Sequence, residues 1–232
     1  MILKILTIKF GAEIKQNEVP LLRGAIINMV PHNSILMHNH IDDSKFRYSY
    51  PLVQYKIINH KAAIISLGDG IDAIGEFFST MNHEILLGER EVSLEVEDIS
   101  AKKVIITEID PMRIYKISFW LPLNQDNFKI YEKKDSIGEK YNFPENILKG
   151  NILSFCKGIG YHIDFNLQVL ITKIKEGNLT RYKNIKMQSF NAEFKTNINL
   201  PNLVGLGKGV SLGFGTISRK KAPEEFCSEK QQ

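Results

Sequence analysis

Three histidines, His32, His38 and His40, fall within nine residues of one another. An imidazole titrates near pH 6.5, so it can take a proton from one oxygen and give one to another at neutral pH. His38 and His40 lie two apart. In an extended segment they share a face, whereas in a helix they diverge. The extended reading makes them a pair able to address one group. Lys45 and Arg47 follow closely and could balance an anion that gains charge during reaction, and Tyr48 could add a hydrogen bond. Catalytic roles are therefore expected for His38, His40, Lys45 and Tyr48. Which histidine acts as base stays open, as does the plainer reading of solvated loop side chains. A metal site built from His38, His40 and Asp42 or Asp43 lacks a fourth ligand at useful spacing, so no metal is expected.

A second segment could hold an anion. Residues 205–215 read Gly-Leu-Gly-Lys-Gly-Val-Ser-Leu-Gly-Phe-Gly. Glycines there allow positive φ and close approach to a ligand, and free N–H groups with Lys208 could form an anion-binding nest. The run is not a dinucleotide fingerprint, because Gly205-x-Gly207 lacks a third glycine at position 210. Nor does a Gly-Lys-Ser/Thr follow four variable residues, as a nucleoside-triphosphate loop requires. A ligand-free glycine-rich hairpin is the alternative.

Positive charge gathers in the same half. Residues 1–110 hold 11 basic and 15 acidic side chains, net −4; residues 111–232 hold 19 and 11, net +8. A polyanion would be drawn to the second half. Lys173, Lys175, Arg181, Lys183 and Lys186 crowd one expected hairpin, with Tyr182 among them. The cations could bind phosphates and the ring could stack on an unpaired base, or the hairpin could simply be solvated. Arg23 could meet phosphate or pair with Glu18.

The elements that must position these groups follow from periodicity. Ile2 to Phe10 reads as a strand with imperfect alternation. Pro20 opens a helix that Pro31 ends, with Leu22, Ile26, Met29 and Val30 apolar. Strands follow at 52–59 and 62–67, joined by a turn at Asn59-His60-Lys61. A helix from Ile71 to about Met81 and strand-like sequence at 84–87 and 91–109 complete a β-α-β-β-α-β order, the ferredoxin-like pattern. Asp110-Pro111 is the expected boundary between units 1–110 and 111–222. The second unit reads as a strand at 115–121, a helix from Pro144 to Lys157, a hairpin of 165–174 and 182–198 turning at Lys175–Asn178, and a last strand after the glycines. It is a looser ferredoxin-like unit with an abbreviated second helix. The expected fold class is α+β, two tandem ferredoxin-like domains. A tail at 223–232 is expected to lack structure.

Val204-Gly-Leu-Gly-Lys-Gly-Val-Ser-Leu-Gly-Phe-Gly-Thr-Ile217 resembles the C-terminal signature of the CRISPR repeat-processing endoribonucleases. Leu22-Arg23-Gly24-Ala25, the His38/His40 segment and Tyr50-Pro51-Leu52-Val53-Gln54-Tyr55-Lys56 are similar to the branch found in Cascade-type systems. The resemblance implies two ferredoxin-like domains with RNA in or near the cleft between them. It implies attack of a ribose 2′-hydroxyl on the adjacent phosphate, without a metal. The implied products are a 5′-hydroxyl and a 2′,3′-cyclic phosphate or its opened form. Arg23, Arg47, Lys173, Arg181, Lys183, Gly205, Gly207, Lys208, Gly209, Gly213 and Gly215 become the expected RNA-binding residues. A guide-RNA-holding subunit that does not cut is the competing reading.

Cys156 and Cys227, 71 positions apart, make neither a disulfide framework nor a zinc site. A cytoplasmic location is expected, with no membrane partner and no cofactor. CRISPR repeat RNA is the expected partner. Other subunits of an effector complex and a second copy of the chain are possible ones.

Overall fold

The computed structural model describes residues 1–29, 40–42, 45–46, 50–80, 83–133, 136–183 and 185–220. The expected tail at 223–232 lies outside them. Strand β1 (Ile2–Glu13) buries Leu3 and Ile5 on one face and Ile8 and Phe10 on the other. Its alternation is imperfect in the sequence because both faces are covered. A 3-10 turn at Gln16–Glu18 leads into α1 (Val19–Met29), which buries Val19, Leu22 and Ile26. Pro20 stands in its first turn, where no backbone N–H is needed.

Two short strands, β2 (His40–Asp42) and β3 (Lys45–Phe46), pair with each other. Next come β4 (Val53–Ile58) and β5 (Lys61–Leu67). The two turn residues between them, Asn59 and His60, both have positive φ, 50° and 67°. That twist suits a two-residue hairpin. Helix α2 (Gly70–Thr80) buries Ala73, Ile74 and Phe77. The stretch read as one strand over 91–109 is divided into β7 (Arg90–Ser93), which pairs with β6 (Glu84–Leu87), then β8 (Val96–Ile105), then the start of β9 (Glu108–Trp120).

The first sheet is antiparallel in the order β4-β5-β1-β8. The second contains β9 (Glu108–Trp120), β10 (Val169–Tyr182), β11 (Ile185–Ile198) and β12 (Thr216–Arg219), in the order β10-β11-β9-β12. Both therefore place the strands second, third, first, fourth, which is the ferredoxin-like arrangement. In the second unit the first crossover carries α3 (Gln125–Glu132) and α4 (Ile137–Gly158). The second crossover keeps only a 3-10 turn, Val210–Leu212.

Two further elements of the second unit differ from the sequence reading. Helix α4 begins seven residues before Pro144, because Ser136 Oγ accepts the N–H of Glu139 at 3.1 Å. Ser-x-x-Glu is a helix-start signal stronger than a proline placed inside a helix. The hairpin turns at Lys183, not at Lys175–Asn178, since β10 runs unbroken to Tyr182. Gly177 and Asn178 sit in a bulge. Gln188 Nε2 and Ser189 Oγ there donate to the carbonyls of Gly177 and Asn178, each at 2.7 Å. Those bonds satisfy the backbone that a turn would otherwise have used.

The core has two main parts. Ile8, Phe10, Tyr55 and Ile64 pack under α1 and α2. From the opposite face of the same sheet, Leu3, Ile5, Ile65 and Leu67 join Tyr115, Trp120, Phe155 and Phe194 of the second half in a single cluster. The first sheet is thus sandwiched between its own helices and the second unit. Among the described residues, no helix is long and apolar enough to cross a membrane.

Candidate nucleic-acid interface

The glycine run folds back on itself at the seam between the two halves. Leu206 N–H donates to Gly215 O at 2.8 Å, and Gly215 N–H to Phe119 O at 3.1 Å. Gly209 and Gly213 flank the 3-10 turn with φ of 69° and 83°. At Gly215, with φ 63°, a Cβ would overlap the carbonyl of Leu206, so only glycine fits. The Trp120 indole donates to Asn151 Oδ1 at 2.9 Å, and both side chains line the backbone at Gly207. The N–H groups of Gly207, Lys208 and Gly209 find no acceptor among the described residues. Lys208 is exposed, and partial desolvation moves its ammonium below the usual lysine range. Three consecutive donors without an acceptor among the described residues, beside a cation, are an arrangement able to hold an anion.

What holds this loop comes from the first half. Gln54 Oε1 accepts the N–H of Gly205 at 3.0 Å, and Tyr50 Oη donates to Gly205 O at 2.7 Å. Gln54 Nε2 donates to Tyr50 Oη at 2.8 Å, which joins the two grips. The Tyr50 ring packs edge-on to Phe155 of α4, centroids 5.2 Å apart. Burial raises its hydroxyl well above the tyrosine range, which keeps it a donor. Lys56 Nζ donates to Thr216 Oγ1 at 2.9 Å, and Gln16 Nε2 to Leu212 O at 3.3 Å. Edge strand β4 therefore serves as the bed on which the loop lies.

The basic hairpin separates into two groups. Arg181, Lys183 and Lys186 are exposed near its tip, where Arg181 faces Lys186 across the strands. Tyr182 is not free for stacking. Its ring meets Phe214 of the loop at 6.1 Å and 81°, and Lys183 Nζ lies 5.9 Å over it. The tip is thereby fastened to the glycine loop. Lys173 stands eight residues away along β10, roughly 26 Å at strand rise. It faces Glu193, whose carboxylate bonds Lys220 at 3.1 Å and lies 3.9 Å from Lys116. Lys220, with Lys173 and Lys116 adding to it, holds the Glu193 carboxyl below the usual range.

The family described as Cas6b N-terminal domain matches residues 1–105, and that described as Cas6b C-terminal domain matches residues 107–220. The chain belongs to the Cas6b family. A crystal structure of Cas6b is 30% identical to it, over 95% of this chain and 100% of that one, with a TM-score of 0.86. A second structure, titled CRISPR RNA processing endoribonuclease Cas6b, is 29% identical over 95% and 100%, with a TM-score of 0.72. An uncharacterized protein of Methanocaldococcus jannaschii is 37% identical over 144 residues, 59% of this chain and 97% of its own.

Within this Cas6b chain the expected site residues divide by location. His38, Arg47 and Tyr48 lie outside the described residues. His40 and Lys45 stand on the two strands of one hairpin, β2 and β3, where His40 is opposite Phe46 and Asp42 opposite Lys45. Arg23 lies half-buried on α1, close enough to bear on the buried Tyr55 hydroxyl. It does not pair with Glu18, which Arg90 holds at 2.8 Å and the Lys15 N–H at 2.7 Å. The five glycines and Lys208 do gather in one loop. Sequence reading assigned no role to Tyr50, Gln54, Lys56, Thr216 or Gln16. The available signal was Gln54 and Lys56, two polar residues at spacing two inside a strand otherwise apolar enough to be buried.

Proposed function

We propose that this chain is a metal-independent endoribonuclease that cuts precursor CRISPR RNA within its repeats. The observation carrying the reading is the loop at the seam, with three free N–H groups and Lys208 beside a basic hairpin, in a chain whose relative is titled a CRISPR RNA processing endoribonuclease. The phosphate is held at the loop and hairpin. One histidine of the His38/His40 pair takes the proton of the ribose 2′-hydroxyl, and that oxygen bonds to the adjacent phosphorus. The P–O5′ bond breaks, and the leaving oxygen receives a proton from the acid, the second histidine or Tyr48. Lys45 balances charge on the pentacoordinate phosphorus. The products are a 2′,3′-cyclic phosphate and a 5′-hydroxyl.

The test is incubation of labelled repeat RNA with the protein in EDTA, beside copies carrying 2′-deoxy at each position. Discrete cutting that a single deoxy substitution abolishes is expected. Tight binding without cutting would favour the guide-RNA-holding subunit, and cutting that EDTA stops would overturn the metal-free chemistry.

Charge removal should act unequally along the hairpin. Each phosphate left without its cation lowers the slope of log affinity against log salt by about 0.7 for single-stranded RNA. Replacing Arg181 and Lys183 together by alanine should flatten the slope by roughly 1.4. Lys173→Ala should change it less, because Lys173 faces Glu193 and stands roughly 26 Å from the hairpin tip. Equal effects from both variants in salt titrations of RNA binding would contradict the assignment.

A further inference from the structure

Lys56 is the only charged side chain buried among the described residues, at 1% exposure. An ammonium has three donors. One is used, toward Thr216 Oγ1, and no second acceptor or carboxylate meets it among the described residues. Thr216 Oγ1 passes the bond on to Gly213 O at 3.0 Å. Gln54, two residues earlier on the same face of β4, grips Gly205. One strand face thus fastens both ends of the glycine loop, leaving Gly207–Gly209 with their free N–H groups between the two grips.

We infer that Lys56 is a positioning residue for RNA cleavage, pinning the C-terminal end of the glycine loop so that its free N–H groups stay arranged as one phosphate site. The inference rests on the endoribonuclease reading for its consequence, and on the hydrogen-bonded chain alone for the pinning. A methionine of similar length would fill the space without a buried charge, and such replacements are often neutral or stabilising. What lysine adds is therefore direction more than stability.

The charge leaves its own signature. Burial alone pushes Lys56 down from 10.5 to about 7, with no charged neighbour contributing. Across the strands it faces Ala63, and toward the loop Thr216 and the Gly213 carbonyl, none of which titrates. Between those two values the unfolded chain holds more protons than the folded one, so stability rises with pH through that window. Lys56→Met removes the rise.

The experiment compares K56M, T216V and T216S. In the free protein, amide exchange at Gly205, Leu206, Gly213 and Gly215 is expected to quicken in K56M and T216V and to stay unchanged in T216S, which keeps the hydroxyl. With repeat RNA, KM should rise about tenfold, the scale of a lost bond to a charged group. The single-turnover rate at saturating RNA should hold within about twofold, and K56M should melt no earlier than the parent. Unchanged exchange in both K56M and T216V overturns the inference, as does quickened exchange with unaltered KM. If the parent itself neither binds nor cuts RNA, the functional reading fails while exchange still decides the pinning. Should K56M not fold, T216V carries the same test with Lys56 in place.

Discussion

Alanine at position 40 is expected to slow cleavage of repeat RNA by about 100-fold or more, the usual scale for losing a general acid or base. RNA affinity should change far less than the rate, because His40 in this mechanism moves a proton and does not hold the phosphate. The segregation of rate from affinity is what separates a catalytic imidazole from a phosphate ligand. Single-turnover kinetics with H38A, H40A and the double variant would read it directly. A normal rate in the double variant would remove the histidines from the mechanism and redirect attention to Lys45 and Tyr48. Residue 40 stands in a strand, opposite Phe46.

The second large effect is on folding. Gly215→Ala places a Cβ onto the Leu206 carbonyl at a φ of 63°, where backbone must move on both sides. A loss of about 3 kcal/mol or more is expected, from the clash and the left-handed backbone together. For a chain of this size that corresponds to a drop in Tm of roughly 6–12 °C. Gly150 offers the opposite case within the same protein. It lies inside α4 with nothing within 4 Å of its added Cβ. Gly150→Ala should stabilise by about 0.5–1 kcal/mol. Thermal melts of the two variants should therefore move in opposite directions, and movement in the same direction would count against the loop geometry.

Local signals carried the strand order of the first unit. Val53–Ile58 and Lys61–Leu67 are strongly apolar, and Asn59 suits a positive-φ turn, so the hairpin is written within 15 consecutive residues. The glycine run was legible as a loop for the same reason. Its setting was not. Gly205 is read by Tyr50 and Gln54, about 150 positions away, and spacing within one chain says nothing about contacts at that distance. The Lys175–Asn178 turn was misplaced because Gly-Asn serves bulges as well as turns, and only the Gln188 and Ser189 side chains decide between them. A lysine in a strand is ordinarily solvated, and the burial of Lys56 depends on a partner that arrives from β12, which no local pattern announces. Two of the stretches that carried the family resemblance, Tyr50–Lys56 and Val204–Ile217, touch each other, so a pair of separate motifs is one structural joint.

That joint has a consequence for synthesis. A ribosome delivers β1, β4 and β5 long before residues 204–217 exist as chain. Leu3, Ile5, Ile65 and Leu67 then face water on the side the second half will cover, and Gln54 and Lys56 lack the backbone they are built to hold. The nascent first half is a sheet with one finished face and one open, sticky one. The anchoring of Gln54 and Lys56 depends on residues 204–217, so a message truncated shortly before codon 205 would compromise the amino-terminal unit as well as the carboxy-terminal one.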